Sequence, residues 1–230
     1  MLWPSLRRHW RRQSVRHVYA RQFYFSGVQS LPLALVAGAA IGAVLVNLVQ
    51  QGFGQSGAMA MHVLTISTLQ EIGPLLVALL LSMRSVSAMA TEMAVMRVNG
   101  ELATLDLWGI SVLEYLILPR VLVAATCCVL LYLYFAAATL LTGALVTQQS
   151  SLLNELSDLA RTLPLEILLL GGLKSALFGA VVSTLACRIG HQARAEMTEV
   201  PRLSSKAVLL GVIATFVIDG AFALPLTEGF

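Results

Sequence analysis

Residues 121–146 read VLVAATCCVLLYLYFAAATLLTGALV, with no Asp, Glu, Lys or Arg among them. A bilayer's hydrocarbon core is about 30 Å thick and takes about 20 helical residues at 1.5 Å each. This run is long enough to cross it. Only helices and closed barrels satisfy their backbone polar groups in lipid, and barrel strands alternate apolar and polar positions over about ten residues. Here the apolar run is unbroken, so the segment is a transmembrane helix. Widened to 112–146, it is one of five such runs, the others being 31–50, 58–83, 164–187 and 207–226. The fold class is therefore an all-α integral membrane protein.

Composition agrees. Of 230 residues, 57% are hydrophobic and 12% charged, and the mean hydropathy is +0.80. A soluble domain carries about 25% charged residues and could not hide this much apolar surface. Disordered chains lack apolar residues, so disorder is excluded too. The three cysteines, Cys127, Cys128 and Cys187, all lie inside apolar runs. Their odd number and spacing provide neither a disulfide framework nor a metal site, and they read as small core residues. No metal or other cofactor is expected. Gly52-Phe53-Gly54-Gln55-Ser56-Gly57 matches G-x-G-x-x-G but lies between two spans, not between a strand and a helix as a dinucleotide site requires. The chain is not read as an enzyme, and the energy for any work on a substrate must come from another subunit.

Six arginines (Arg7, Arg8, Arg11, Arg12, Arg16 and Arg21) precede the first span. A basic start followed by an apolar span points to an anionic membrane surface, not nucleic acid. Trp3, Leu6 and Trp10 share one arc of a helical wheel, opposite Arg8, Arg12 and Arg16, which suits an interfacial amphipathic helix over 1–28. The remainder, 29–230, is the transmembrane domain. With a cytoplasmic amino terminus, Arg84, Arg97, Arg120, Arg188, Arg194, Arg202 and Lys206 also fall inside, while Arg161 alone falls outside. The positive-inside rule thus places the carboxyl terminus outside.

Small residues recur every fourth position in three spans: Ala34, Gly38 and Gly42; Gly171, Ser175, Gly179 and Ser183; Ala207, Gly211 and Thr215. Such stripes let helix backbones approach closely in lipid. Packing within the chain accounts for most of them, and a dimer seam is expected on span one. Three charges lie at membrane depth, where each costs at least about 2.5 kcal/mol. Counted from the outer ends, Glu71 is about 13 residues deep, Lys174 about 10 and Asp219 about 7, all within about 9 Å of one another in depth. Lys174 is thus able to pair with either carboxylate, as a structural ion pair or as the polar lining of a cavity for a charged headgroup. Pro74 has no N–H, so the carbonyl of Gln70 loses its helical donor beside Glu71, and Gly73-Pro74 marks a kink. Residues 84–110 mix Met89, Met93, Met96, Leu102, Leu105 and Trp108 with Glu92, Arg97, Glu101 and Asp106. This pattern reads as short surface helices with one wet face, suited to docking on a partner.

The block Glu71-Ile72-Gly73-Pro74, Arg84, Ser87-Ala88, Ala90-Thr91-Glu92-Met93, Met96-Arg97-Val98, Leu105, Gly109, Tyr115-Leu116 and Pro119-Arg120 resembles the MlaE (YrbE-type) family of ABC transporter permeases. So do Leu173-Lys174-Ser175 with Phe178-Gly179, and the stretch from Gly190 through Ser204, Lys206, Ala207 and Val208 to Asp219. The resemblance covers about residues 20–225. It implies a homodimeric, multi-pass inner-membrane permease with an interfacial helix and five spans. The implied partners are a cytoplasmic ABC ATPase that binds the ATP, a periplasmic MCE-domain lipid carrier and, in some members, a STAS-domain protein. The implied task is moving phospholipid between membranes to maintain outer-membrane lipid asymmetry. Carried over, Glu71 lies near the lipid pocket at the dimer interface, and Gln70, Glu71, Lys174 and Asp219 are the expected substrate-binding residues. Glu92, Met96, Arg97, Glu101 and Leu105 belong to the segment with the coupling helix that meets the ATPase.

The chain departs from the family pattern at Gln70, where members usually have a basic residue. It departs again at Asn99-Gly100-Glu101-Leu102-Ala103-Thr104-Leu105, which has fewer acidic residues and a glycine expected to weaken a helix. Ser111-Val112 replaces a common Asp-Pro. These departures motivate an alternative reading, a non-transporting scaffold or regulatory subunit of such a complex. A proton-coupled carrier fits poorly, because neither an inverted repeat nor paired broken helices is visible.

Overall fold

The computed structural model describes residues 23–24, 26–53, 57–147, 165–194 and 196–227. Among the described residues, five helices are long and apolar enough to cross a membrane, at Val28–Gly52, Ala60–Val98, Leu113–Thr147, Leu165–His191 and Glu199–Phe222. Among the described residues there is no strand. The expected amphipathic helix, with Trp3, Leu6 and Trp10, lies outside the described residues, as do Arg161 and the middle of the glycine-rich link after span one.

Span one is α1 (Leu31–Phe53), entered through a 3-10 turn at Val28–Ser30. Span two is one rod of α2 (Gly57–Ser67), α3 (Gly73–Leu81) and α4 (Ser87–Val98), joined by π turns at Thr68–Ile72 and Ser82–Val86. A short α5 (Glu101–Leu107) follows. Span three begins as a π turn, Leu113–Ile117, and runs on as α6 (Leu118–Thr147). Spans four and five are α7 (Leu165–His191) and α8 (Glu199–Thr227).

Two boundaries differ from the sequence reading. Span two does not stop near residue 83 but continues to Val98, so most of the expected surface segment is a helical extension. Ser87–Val98 is rich in Ala and Met and has no helix breaker before Asn99-Gly100, so nothing stops the hydrogen-bond ladder. Span five starts at Glu199, eight residues before the predicted 207. Pro201 falls in its first turn, where a missing N–H breaks no helical bond.

Prolines 74 and 119 are both accommodated in the same way. Each lies two residues past a π turn, and each turn closes on an i to i−5 bond, Gly73 N–H to the Thr68 carbonyl and Leu118 N–H to the Leu113 carbonyl. The wider turn lets the helix continue past the carbonyl that proline cannot serve.

Span three is the hub, with spans one, two and four lying against it. Its Tyr132 and Phe135, with Phe178 of span four, are the largest fully buried side chains. Glycine makes the close approaches possible. A Cβ on Gly38 would stand 2.7 Å from the Phe135 carbonyl oxygen, and one on Gly42 would strike the Thr139 backbone. On Gly179 it would stand 2.8 Å from the Ala124 carbonyl oxygen, and on Gly190 it would stand 2.5 Å from that of Ala90. The small-residue stripe of span one is therefore filled by span three of the same chain and is not free for the dimer seam expected there. The stripes of spans four and five are likewise buried. The exposed faces are apolar, with Val36, Leu48, Leu133, Leu145, Leu173, Leu209 and Val217 turned outward. All three cysteines are free and buried.

Candidate functional site

The π turn at Thr68–Ile72 organises the site. Because Pro74 cannot donate, the Gln70 carbonyl is left for an outside donor, and Lys174 Nζ of span four supplies one at 3.3 Å. The neighbouring Leu69 carbonyl accepts a 3.0 Å hydrogen bond from the Tyr132 hydroxyl of span three. Gly171 lies against that same carbonyl and the Tyr132 ring, where any side chain would collide. Spans three and four thus converge on one loosened turn of span two. Lys174 follows Gly171 by three positions, about one helical turn, so the close approach at the glycine is what brings the amine within reach.

Lys174 is only 7% exposed. Its Nζ donates to Glu71 Oε2 at 2.7 Å and is 2.7 Å from Asp219 Oδ1 of span five. Both contacts are ion pairs. The Phe222 ring, one turn beyond Asp219, has its centroid 6.0 Å from the amine, within range of a cation–π attraction. Sequence depth left open which carboxylate Lys174 would choose; it holds both. The cluster has one cation and two anions, so it carries a net charge of −1 when all three are ionised. Its members are unequally covered: the Glu71 side chain is 40% exposed and that of Asp219 19%. The cluster is therefore closed toward the bundle and open on the Glu71 side. Gln70 takes part through its backbone, with its side chain only half-buried.

The five residues expected to couple to an ATPase do not share one face. Glu92, Arg97 and Glu101 are exposed, whereas Met96 and Leu105 turn inward onto a buried cluster of Met93, Leu102, Val112 and Cys187. The most exposed apolar pair in this region is Leu107 and Trp108, at 86% and 73%; Trp108 belongs to the pattern expected to dock on a partner, whereas Leu107 does not. Gly100 has φ 76 and Gly109 φ 70, so both bracket α5 in the left-handed region that glycine enters without strain. Gly100 consequently ends one helix and starts another, and the helix weakening expected of it does not arise. Arg84 donates to the Gln29 carbonyl oxygen at 2.7 Å and also to its side-chain oxygen, tying the start of span one to span two. Tyr132 and Phe222 are the site residues that sequence reasoning missed. A lone Tyr inside an apolar span was the available signal for the first.

Residues 19–224 match the family model described as Permease MlaE. The chain belongs to the MlaE permease family. Among relatives, a probable ABC transporter permease protein of Rickettsia felis is 28% identical over 212 residues, covering 88% of this chain and 82% of that one. The intermembrane phospholipid transport system permease protein MlaE of Haemophilus influenzae is 29% identical over 146 residues, covering 62% and 53%. The chloroplastic protein TRIGALACTOSYLDIACYLGLYCEROL 1 of Arabidopsis thaliana is 28% identical over 162 residues, covering 68% and 46%. As an MlaE-family protein with five apolar helices, the chain is a multi-pass membrane transport permease of the ABC type.

Proposed function

We propose that this permease moves phospholipid between the inner membrane and a periplasmic MCE-type carrier, and so helps maintain outer-membrane lipid asymmetry. In this reading it works as a homodimer driven by a cytoplasmic ABC ATPase, with its amino terminus inside, its carboxyl terminus outside and, in some assemblies, a STAS-domain protein attached. The family match and the phospholipid named in the Haemophilus relative support it. The observation that carries it is Lys174 held at membrane depth by Glu71 and Asp219 beside Phe222. A zwitterionic headgroup presents an anionic phosphate and, in amine lipids, a cation. Lys174 matches the first and the two carboxylates match the second, so headgroup entry exchanges partners without stranding a charge. Glu71, the most exposed of the three, is the member a headgroup meets first.

The same closure favours a second reading. An amine already satisfied by two carboxylates is also what a static pin between spans two, four and five looks like, as in a scaffold subunit. Gentle extraction followed by mass spectrometry of bound lipids and proteins separates the two. The transport reading expects an ABC ATPase and phospholipid retained together, with ATP turnover that rises when phospholipid is added. An ATPase retained without lipid or lipid-stimulated turnover would support the scaffold, and a monomer with neither would sink both.

A further inference from the structure

Arg120 follows Pro119 in the first turn of α6 and is 6% exposed. Its Nη2 lies 3.1 Å from Glu92 Oε2 of α4. Nε and Nη1 are buried and have no hydrogen-bond partner among the described residues. One side chain of span three therefore pairs with the cytoplasmic end of span two.

The two halves of this ion pair differ in what they need. The Glu92 side chain is 63% exposed, so water solvates its charge and an exposed carboxylate gains little from pairing. Arg120 is the reverse, a buried ion with unused donors, and burying such a group opposes folding unless every donor is met. An unbranched apolar side chain of similar length would serve packing as well or better. Stability therefore does not explain the arginine.

Its position does. Span two carries both Glu92 and Glu71, and span four carries both Cys187 and Lys174. Lys174 joins spans two and four at membrane depth, and Arg120 joins spans two and three at the cytoplasmic end. Next to Glu92, Met93 is buried in one cluster with Leu102 of α5, Val112 and Cys187. The α4–α5 segment is thus packed against the base of span four, and span three reaches the turn beside Glu71 through Tyr132. We propose that Arg120 is a positioning residue for transport: it fixes spans two and three to each other at the cytoplasmic end, so that force applied to the α4–α5 segment reaches the Glu71–Lys174–Asp219 cluster. This rests on the reading of the chain as an ATPase-driven permease.

The test uses the full permease with the ATPase that co-purifies with it, in nanodiscs of phosphatidylethanolamine and phosphatidylglycerol. Unfolding temperature, ATPase retention and fluorescent phospholipid transferred per ATP hydrolysed are measured together. Arg120→Met is expected to unfold at or above the wild-type temperature and to retain the ATPase, while transfer per ATP falls about fivefold or more. Arg120→Lys should recover part of that loss. Glu92→Gln, on an exposed side chain, should reproduce it, and the double variant should be no worse than either single one, as expected for residues acting as a unit. A lowered unfolding temperature with unchanged transfer per ATP would make Arg120 structural and overturn the proposal. So would additive losses in the double variant. If the wild-type chain retains no ATPase, the parent reading fails first, and this one falls with it.

Discussion

Lys174 faces two carboxylates at once, and the consequences of removing each partner are unequal. Without Glu71 the amine still pairs with Asp219, so Glu71→Ala should insert and fold normally while phospholipid transfer falls. Without Lys174 two carboxylates are left facing each other in a largely apolar surrounding. Removing one partner of a buried pair costs about 3–5 kcal/mol, so Lys174→Met should lower the unfolding temperature well below that of Glu71→Ala. Thermal unfolding in nanodiscs together with a transfer assay checks both. Full transport by Glu71→Ala would assign the cluster to structure alone. The presence of three charges at similar depth was legible in the sequence. Their joint pairing was not, because it depends on how each helix is rotated about its axis. The orphaned carbonyl next to Pro74 could be read from one residue's missing N–H, but the Lys174 donor that meets it lies a hundred positions on.

Among the elements, the adjacent glycines of span four make a controlled comparison. Gly171 faces the Leu69 carbonyl and Tyr132, whereas a Cβ on Gly172 would meet nothing within 4 Å. Gly171→Ala should destabilise the bundle by about 1–3 kcal/mol, the usual cost of overpacking, and push Lys174 away from the π turn. Gly172→Ala should be neutral or mildly stabilising, by up to about 1 kcal/mol, from helix propensity. Unfolding temperatures of the two variants would test this, and equal losses would contradict the packing described. Periodicity placed both the stripe and its neighbours on α7, yet only the packed bundle distinguishes a glycine wedged against a backbone from one facing outward. The π turns are a similar case. Pro74 announced local irregularity, and the structure resolved it, there and also at Pro119, as a widened turn in an otherwise continuous helix.

For the whole molecule, the arginine bias predicts which end faces the cytoplasm, and the buried native cysteines make that measurable. Cys127, Cys128 and Cys187 are shielded, so a new cysteine should dominate labelling by a membrane-impermeant maleimide. Trp108→Cys should react only after the cytoplasmic side is opened, and Gly52→Cys should react in intact cells stripped of their outer membrane. The reverse pattern would invert the proposed topology. The proposed homodimer belongs to this scale as well. With the span one stripe occupied by span three, a partner must use another face, a change that no count of small residues could have revealed.

The sequence by itself determined that this chain crosses a membrane five times as helices. Transfer of a segment into lipid depends on the composition and length of that segment alone, and each of the five runs carries its own answer. Where span two ends and span five begins, which stripe meets which helix, how Lys174 shares itself between Glu71 and Asp219, and that Arg120 is buried against Glu92 were decided only by the tertiary structure. Those features arise from the relative rotation and depth of helices far apart in the chain. Lipid gives every apolar face the same welcome, so hydropathy leaves the choice among them to close backbone packing and to the few polar groups that must find one another.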